Sequence, residues 1–187
     1  MEYTHNFKHL GNLESMRPIW AGMTMRRVYR YFNIEKCKVF LETGTFEGGT
    51  VEWADLQGHY EKMYSIELET NRYNFCSQKF IKNKNIEIMH GDTLECLPKI
   101  IKEINQPTLI YLDAHYNTYP IVEESTCVLD NFYDLDNLVV CIDDERLFTE
   151  ELKQATVNLY SKFGFVDCYL DDSIVFCKKH WFRDTTI

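Results

Sequence analysis

The chain has 187 residues, the size of one domain, and its 45% hydrophobic and 26% charged residues exclude a disordered, collagen-like or coiled-coil protein. Acidic side chains outnumber basic ones by 29 to 20, which gives a net charge of -9. Because nucleic-acid phosphates would be repelled by such a chain unless a local basic patch intervened, no nucleic-acid partner is expected.

The cysteines indicate a reducing compartment. They are odd in number, scattered and never spaced as CxxC, and they stand at positions 37, 76, 96, 127, 141, 168 and 177. The N-terminal residues lack the apolar stretch of a signal peptide, and no apolar run approaches the roughly 18 residues that span a membrane. We therefore predict a soluble, cytoplasmic protein with no membrane partner.

In chain order, the first predicted element is helical. Residues 14–33 carry apolar side chains at helical spacing and predict one or two helices, which pack either on a sheet or on a partner chain. The alternative is a lid that covers a bound cofactor. We predict one domain over residues 1–187, with a helical extension (1–35) ahead of an α/β core (36–187).

Five β-rich runs follow, separated by segments with helical periodicity. The runs are continuously apolar, as expected of parallel strands that are covered on both faces, and they occupy residues 38–42, 63–67, 85–89, 108–113 and 138–143. Three apolar stripes at helical spacing predict crossover helices between or after them: Tyr73, Cys76 and Phe80; Leu94, Leu97, Ile101 and Ile104; Phe148, Leu152, Ala155, Leu159 and Phe163.

The chain ends in a different pattern. Residues 165–170 and 174–178 flank a turn at 171–173 that is too short for anything but an antiparallel hairpin, which would give the sheet a reversed edge. The whole pattern predicts an α/β, Rossmann-like fold: a mostly parallel seven-stranded sheet with helices on both faces and a C-terminal antiparallel hairpin.

A glycine-rich loop follows the first strand, and an acidic residue ends the second. The loop runs from Glu42 into Gly44, Gly48 and Gly49, and such glycines let a ligand approach the backbone and the N-terminus of the next helix. The spacing differs from the GxGxxG of pyrophosphate loops and favours a nucleoside with an amino-acid tail. Glu67 is placed to accept both ribose hydroxyls. Alone, such a loop is equally typical of a tight strand-to-helix connection.

Residues 40–50, which read FLETGTFEGGT, resemble the first motif of class I S-adenosylmethionine-dependent methyltransferases, and the resemblance extends over about residues 38–178. It implies the Rossmann-like class I methyltransferase fold and S-adenosyl-L-methionine as cofactor. By the same likeness Glu67 would hold the ribose, Leu68 would border the adenine and Asp92 would face its amino group. The implied cofactor contacts are Glu42, Thr43, Gly44, Thr45, Gly48, Gly49, Thr50, Glu67, Leu68, Asp92, Thr93 and Asp113.

Asp92 also has a purely structural interpretation. It opens an Asp92-x-x-Glu95 capping box, which would start the following helix without any ligand. The two roles are compatible.

Three aspartates end neighbouring strands, Asp113 after the fourth and Asp143 and Asp144 after the fifth. Their convergence would demand a cation, and an all-oxygen set favours Mg²⁺, with Mn²⁺ or Ca²⁺ next and zinc disfavoured. His115 lies at the rim of the same crevice and is a usable proton acceptor. The structural alternatives are acids that cap a helix and a hydrogen-bonded loop histidine. Tyr116 and Tyr119 are interpreted as wall residues, and three further acids as solvated: Glu123, Glu124 and Glu145.

Asp113, Asp143 and Asp144 also resemble the ligand pattern of the metal-dependent O-methyltransferases that act on macrolide sugars and catechols. The resemblance implies a Mg²⁺-assisted methyl transfer to a hydroxyl of a small molecule or sugar, with His115 and Asp113 as catalytic residues. The alternatives are a metal-independent methyltransferase, a nicotinamide-dependent oxidoreductase and a non-catalytic nucleotide-binding module. A small-molecule partner is expected, and a homodimer would help to complete the acceptor pocket.

Overall fold

The computed structural model describes residues 25–114 and 119–183. Strands and helices alternate along most of this part. The strands are β1 (Val39–Thr43), β2 (Lys62–Glu67), β3 (Ile86–His90), β4 (Thr108–Leu112), β5 (Leu138–Ile142), β6 (Val166–Leu170) and β7 (Ser173–Cys177). The helices are α1 (residues 25–31), α2 (Gly49–Leu56), α3 (Thr70–Lys79), α4 (Thr93–Ile101), α5 (Ile121–Asn131) and α6 (Glu150–Lys162). Within these ranges no helix has the length and apolar character needed to cross a bilayer.

The strands form one seven-stranded sheet in the order β3-β2-β1-β4-β5-β7-β6. Strands β1 to β5 pair in parallel, and β7 pairs antiparallel with both β5 and β6. The predicted sheet and its C-terminal hairpin are therefore confirmed. The reversed strand is not the edge, however, because α6 carries the chain to the outer position first and the hairpin then returns inward. β7 is buried along its whole length, whereas β6 alternates between partly buried and exposed residues.

Helices cover both faces of the sheet. One face packs against α4, α5 and α6 through residues such as Leu97, Val128 and Tyr160. The other packs against α1, α2 and α3 through residues that include Val28, Val51 and Cys76. The predicted packing of the N-terminal helical segment on the sheet holds for α1, and the rest of that prediction, at residues 14–24, lies outside the described residues.

The strand order reverses between β1 and β4. Strand β1 has β2 on one side and β4 on the other, and the chain crosses to opposite sides of β1 after α2 and α4. In an open parallel sheet such a switch point leaves a crevice at the carboxyl ends of the strands, which is where ligands bind. The ends of β1, β2, β4 and β5 carry most of the polar residues singled out in the sequence.

Candidate active site at the carboxyl ends of the strands

The glycine loop between β1 and α2 lies directly against the end of β4. Gly44 has φ +85°, and a Cβ atom on it would lie 2.5 Å from the backbone carbonyl oxygen of Asp113. Gly48 has φ +73° and would place a Cβ 2.7 Å from the ring of Phe80. Both positions require glycine for conformation and for space, so the loop is held tightly at the switch point of the sheet.

Glu67 joins this loop to the end of β2. Its side chain is buried, and its Oε2 accepts a hydrogen bond of 2.7 Å from the backbone N–H of Phe46. Its Oε1 accepts one of 2.8 Å from the N–H of Glu69. Each carboxylate oxygen has two acceptor positions, so a pair of vicinal hydroxyls can still be accommodated. The predicted ribose acid and the predicted loop are thus in direct contact.

Glu42 is a second buried acid beside the loop. The hydroxyl of Ser65 donates to its Oε2 at 2.7 Å, and Ser65 Oγ lies 2.6 Å from Thr45 Oγ1. Burial raises the pKa of Glu42 to about 8, and the hydrogen bonds from Ser65 and Thr50 offset only part of that effect. At neutral pH the group is therefore mostly protonated unless a cation approaches it.

We expect Glu42→Gln to flatten the pH dependence of stability. The unfolded chain has the ordinary pKa near 4.5 and the folded chain about 8, so the folded state holds an extra proton between these values. Stability is then lost as pH rises through this window, by about 1.4 kcal/mol per pH unit from this group. Urea unfolding of both proteins across the window measures the difference, with the exposed Glu47→Gln as control. Parallel pH profiles for wild type and Glu42→Gln would contradict the assignment.

Asp92 caps α4 as its sequence pattern predicts. Its Oδ1 accepts a hydrogen bond of 2.8 Å from the N–H of Leu94. Leu68, just after β2, and Leu94, in the first turn of α4, are large apolar side chains left 54% and 41% exposed, as expected of walls for a flat apolar ligand. Thr93 is buried at the start of the helix. The contact of Asp92 with adenine stays a prediction.

The three aspartates end their strands as predicted, but their surroundings differ. Asp113 is partly buried, and burial together with the charges of Asp143 and Glu42 raises its pKa well above the usual value. Asp143 accepts hydrogen bonds from two hydroxyls, that of Tyr111 on Oδ2 and that of Ser173, at 2.6 Å, on Oδ1. Asp144 has φ +57° and pairs with Arg146, whose Nη1 lies 2.7 Å from Oδ1.

These side chains do not assemble a metal site. In residues 25–114 and 119–183 no group of three or more His, Cys, Asp or Glu side chains could hold a metal ion. Asp143 receives hydroxyl hydrogens on both oxygens, and Asp144 pairs with Arg146. The geometry therefore gives no support to the predicted Mg²⁺ site of Asp113, Asp143 and Asp144. The predicted base His115 and the predicted wall residue Tyr116 lie outside the described residues.

A further acid of the crevice was misinterpreted from sequence. Glu124 on α5 is not solvated but 0% exposed, and neither of its oxygens has a hydrogen-bond partner. Burial raises its pKa to about 7. The nearby hydroxyls of Thr93 and Thr43 offset part of this rise, but neither makes a hydrogen bond to the carboxyl oxygens. The signal was present, because Glu124 falls between Ile121 and Val128 on the apolar stripe of its helix.

No family model and no curated protein matches this sequence. Several solved structures, however, are similar to this chain. The S-adenosylhomocysteine-bound methyltransferase PaMTH1 of Podospora anserina is 14% identical with a TM-score of 0.61, over 90% of this chain and 80% of that one. TomG, an O-methyltransferase of tomaymycin synthesis from Streptomyces achromogenes solved with S-adenosylmethionine, is 16% identical with a TM-score of 0.57, over 88% and 80%.

The similar structures include one with a different activity. A spermidine synthase in complex with the transition-state analogue AdoDATO is 17% identical with a TM-score of 0.58, over 87% of this chain and 59% of that one. At such low identities the likeness establishes the fold alone. The chain has the class I methyltransferase fold, as predicted, and its chemistry must be argued from its own residues.

Proposed function

We propose that this chain binds S-adenosylmethionine across the ends of β1, β2 and β3 and transfers its methyl group to a hydroxyl of a small molecule or sugar. The observation that carries the proposal is the contact between the buried carboxylate of Glu67 and the glycine loop, with Gly44 packed on the end of β4. This arrangement suits a nucleoside with an amino-acid tail. PaMTH1 and TomG, which share the fold, bind S-adenosylhomocysteine and S-adenosylmethionine at comparable chain coverage.

In the proposed reaction the enzyme acts mainly on the methyl acceptor and does not need to activate the donor. A sulfonium methyl is already activated, so the enzyme must orient an acceptor oxygen in line and remove its proton. We assign proton removal to Asp113 or His115, which follow β4 in the sequence. Transfer to oxygen is favoured by the O-methyltransferases among the similar structures, TomG and one from Bacillus cereus.

Magnesium is left out of the proposed reaction. The described part of the chain offers no group of three metal ligands. We therefore expect turnover in excess EDTA to stay within about twofold of turnover with added Mg²⁺. A loss of orders of magnitude in EDTA, restored by Mg²⁺, would reinstate the three-aspartate site. Asp143→Asn then distinguishes the metal-independent reaction from the three-aspartate site. If Asp143 is a metal ligand, the variant should lose both its turnover and the increase in turnover on adding Mg²⁺.

Two further expectations belong to the proposal. The cytoplasmic location is supported by the cysteines, all seven of which are free and five of which are buried. A homodimer, or residues 1–35 and 115–125, would supply the remaining wall of the acceptor pocket.

The proposal is tested first by ligand binding. Thermal unfolding with S-adenosylhomocysteine and with NAD⁺ should show stabilisation by the former alone, about 2.7 kcal/mol at 100 times its Kd. A preference for NAD⁺ would favour an oxidoreductase and contradict the proposal. A screen of hydroxylated sugars and phenols for release of S-adenosylhomocysteine then tests turnover, and binding without turnover on any acceptor would leave a binding module.

A further inference from the structure

A small crevice at the ends of β4 and β5 combines acids with aromatic rings. Its walls include the carboxyl groups of Asp113, Glu124 and Asp143 and the rings of Tyr119 and Phe148, which pack edge to face with centroids 5.7 Å apart. In the part of the chain that the structure describes, no lysine, arginine or histidine lines it. None of these lining side chains can therefore carry a positive charge.

Glu124 is the acid of this crevice that the protein leaves unsatisfied. Asp143 accepts two hydroxyl hydrogens from Tyr111 and Ser173, whereas both oxygens of Glu124 lack a partner at 0% exposure. A buried carboxyl group without donors is costly, and such a group in a crevice is expected to meet its partner on a ligand.

The missing partner is best supplied by a cation with several donors. A neutral hydroxyl brings one hydrogen and no charge, while an ammonium group brings three hydrogens and the opposite charge. We propose that the crevice binds a protonated amino group of the methyl acceptor against Glu124, so that the acceptor is an amino-substituted hydroxyl compound. This inference rests on the proposed function and names its substrate class.

The hydrogen bonds of the glycine loop involve other acids. Glu67 accepts from the N–H of Phe46, and Glu42 is linked to the loop through Ser65 and Thr45, but neither acid lines the crevice. Tyr119, at 36% exposure, is the most exposed of the described lining residues and marks the outer side of the crevice.

The experiment compares matched ligands on protein saturated with S-adenosylhomocysteine. Calorimetry measures the binding of glucosamine, N-acetylglucosamine and glucose, and of tyramine and N-acetyltyramine, at a pH where the free amines are protonated. We expect each amine to bind at least about tenfold more tightly than its neutral counterparts. Glu124→Gln should abolish that preference. The control is Glu123→Gln, which makes the same change at the exposed neighbouring position and should keep it.

The outcomes separate this inference from the proposed function. If wild type fails to bind S-adenosylhomocysteine, the proposed function fails with it. If it binds S-adenosylhomocysteine but shows no preference for amines, or binds none of them at millimolar concentration, the inference alone is wrong. A preference that survives in Glu124→Gln, or a Glu124→Gln variant that loses S-adenosylhomocysteine binding, would also overturn it. Glu124→Gln keeps the size and shape of the side chain, and binding of S-adenosylhomocysteine by the variant checks that it is folded.

Discussion

Replacing Glu67 with alanine is expected to raise the Kd for S-adenosylhomocysteine by about two orders of magnitude. Two hydrogen bonds from ribose hydroxyls to a carboxylate contribute about 1.5 kcal/mol each or more, and 1.4 kcal/mol is tenfold in affinity. The variant also leaves the N–H of Phe46 without its acceptor, which loosens the glycine loop against β2. Calorimetric titration of both proteins measures the change.

Glu69→Ala is the matched control for this prediction. Glu69 lies two residues further on, is exposed and accepts hydrogen bonds from the N–H groups of Asn71 and Arg72 as the N-cap of α3. Its loss should cost about 1 kcal/mol of stability with little effect on cofactor affinity. An unchanged Kd in Glu67→Ala would remove this residue from the ribose site and leave the proposed function without its main support.

The strands were predictable because their signal is local. The five apolar runs and the two flanks of the hairpin turn predicted strand limits within one residue of those observed. The glycine loop and the acid at the end of β2 were predictable for a related reason, since their spacing along the chain reflects one strand-loop-helix-strand unit.

What sequence did not reveal depends on contacts between distant segments. The position of β7 inside the sheet follows from pairing with β5, about thirty-five residues earlier. The two hydroxyls on Asp143 come from β4 and β7, so no single stretch of sequence signals that this aspartate is already engaged. The burial of Glu124 depends on which face α5 turns to the sheet. An acid on an apolar stripe is a local signal for such a site, and it outweighs the general preference of glutamate for solvent.

Gly44→Ala is expected to lower the free energy of unfolding by about 3–5 kcal/mol and to abolish measurable cofactor binding. The added Cβ would lie 2.5 Å from the carbonyl oxygen of Asp113 and 3.2 Å from the Cα of Ala114, both of which are backbone atoms. Backbone cannot rotate away as a side chain can, so the loop must separate from β4. A φ of +85° adds about 1–2 kcal/mol of conformational strain.

Gly58→Ala isolates the conformational part of this effect. Gly58 has φ +71°, but no atom lies within 4 Å of the place that an added methyl group would take. The same substitution therefore meets strain without a clash and should cost about 1–2 kcal/mol. Urea unfolding gives both values, and titration with S-adenosylhomocysteine should find Gly58→Ala unimpaired. Equal destabilisation by the two variants would mean that the loop does not lie against β4. The crevice at the switch point would then be wider, and the nucleoside could not bind in the proposed position.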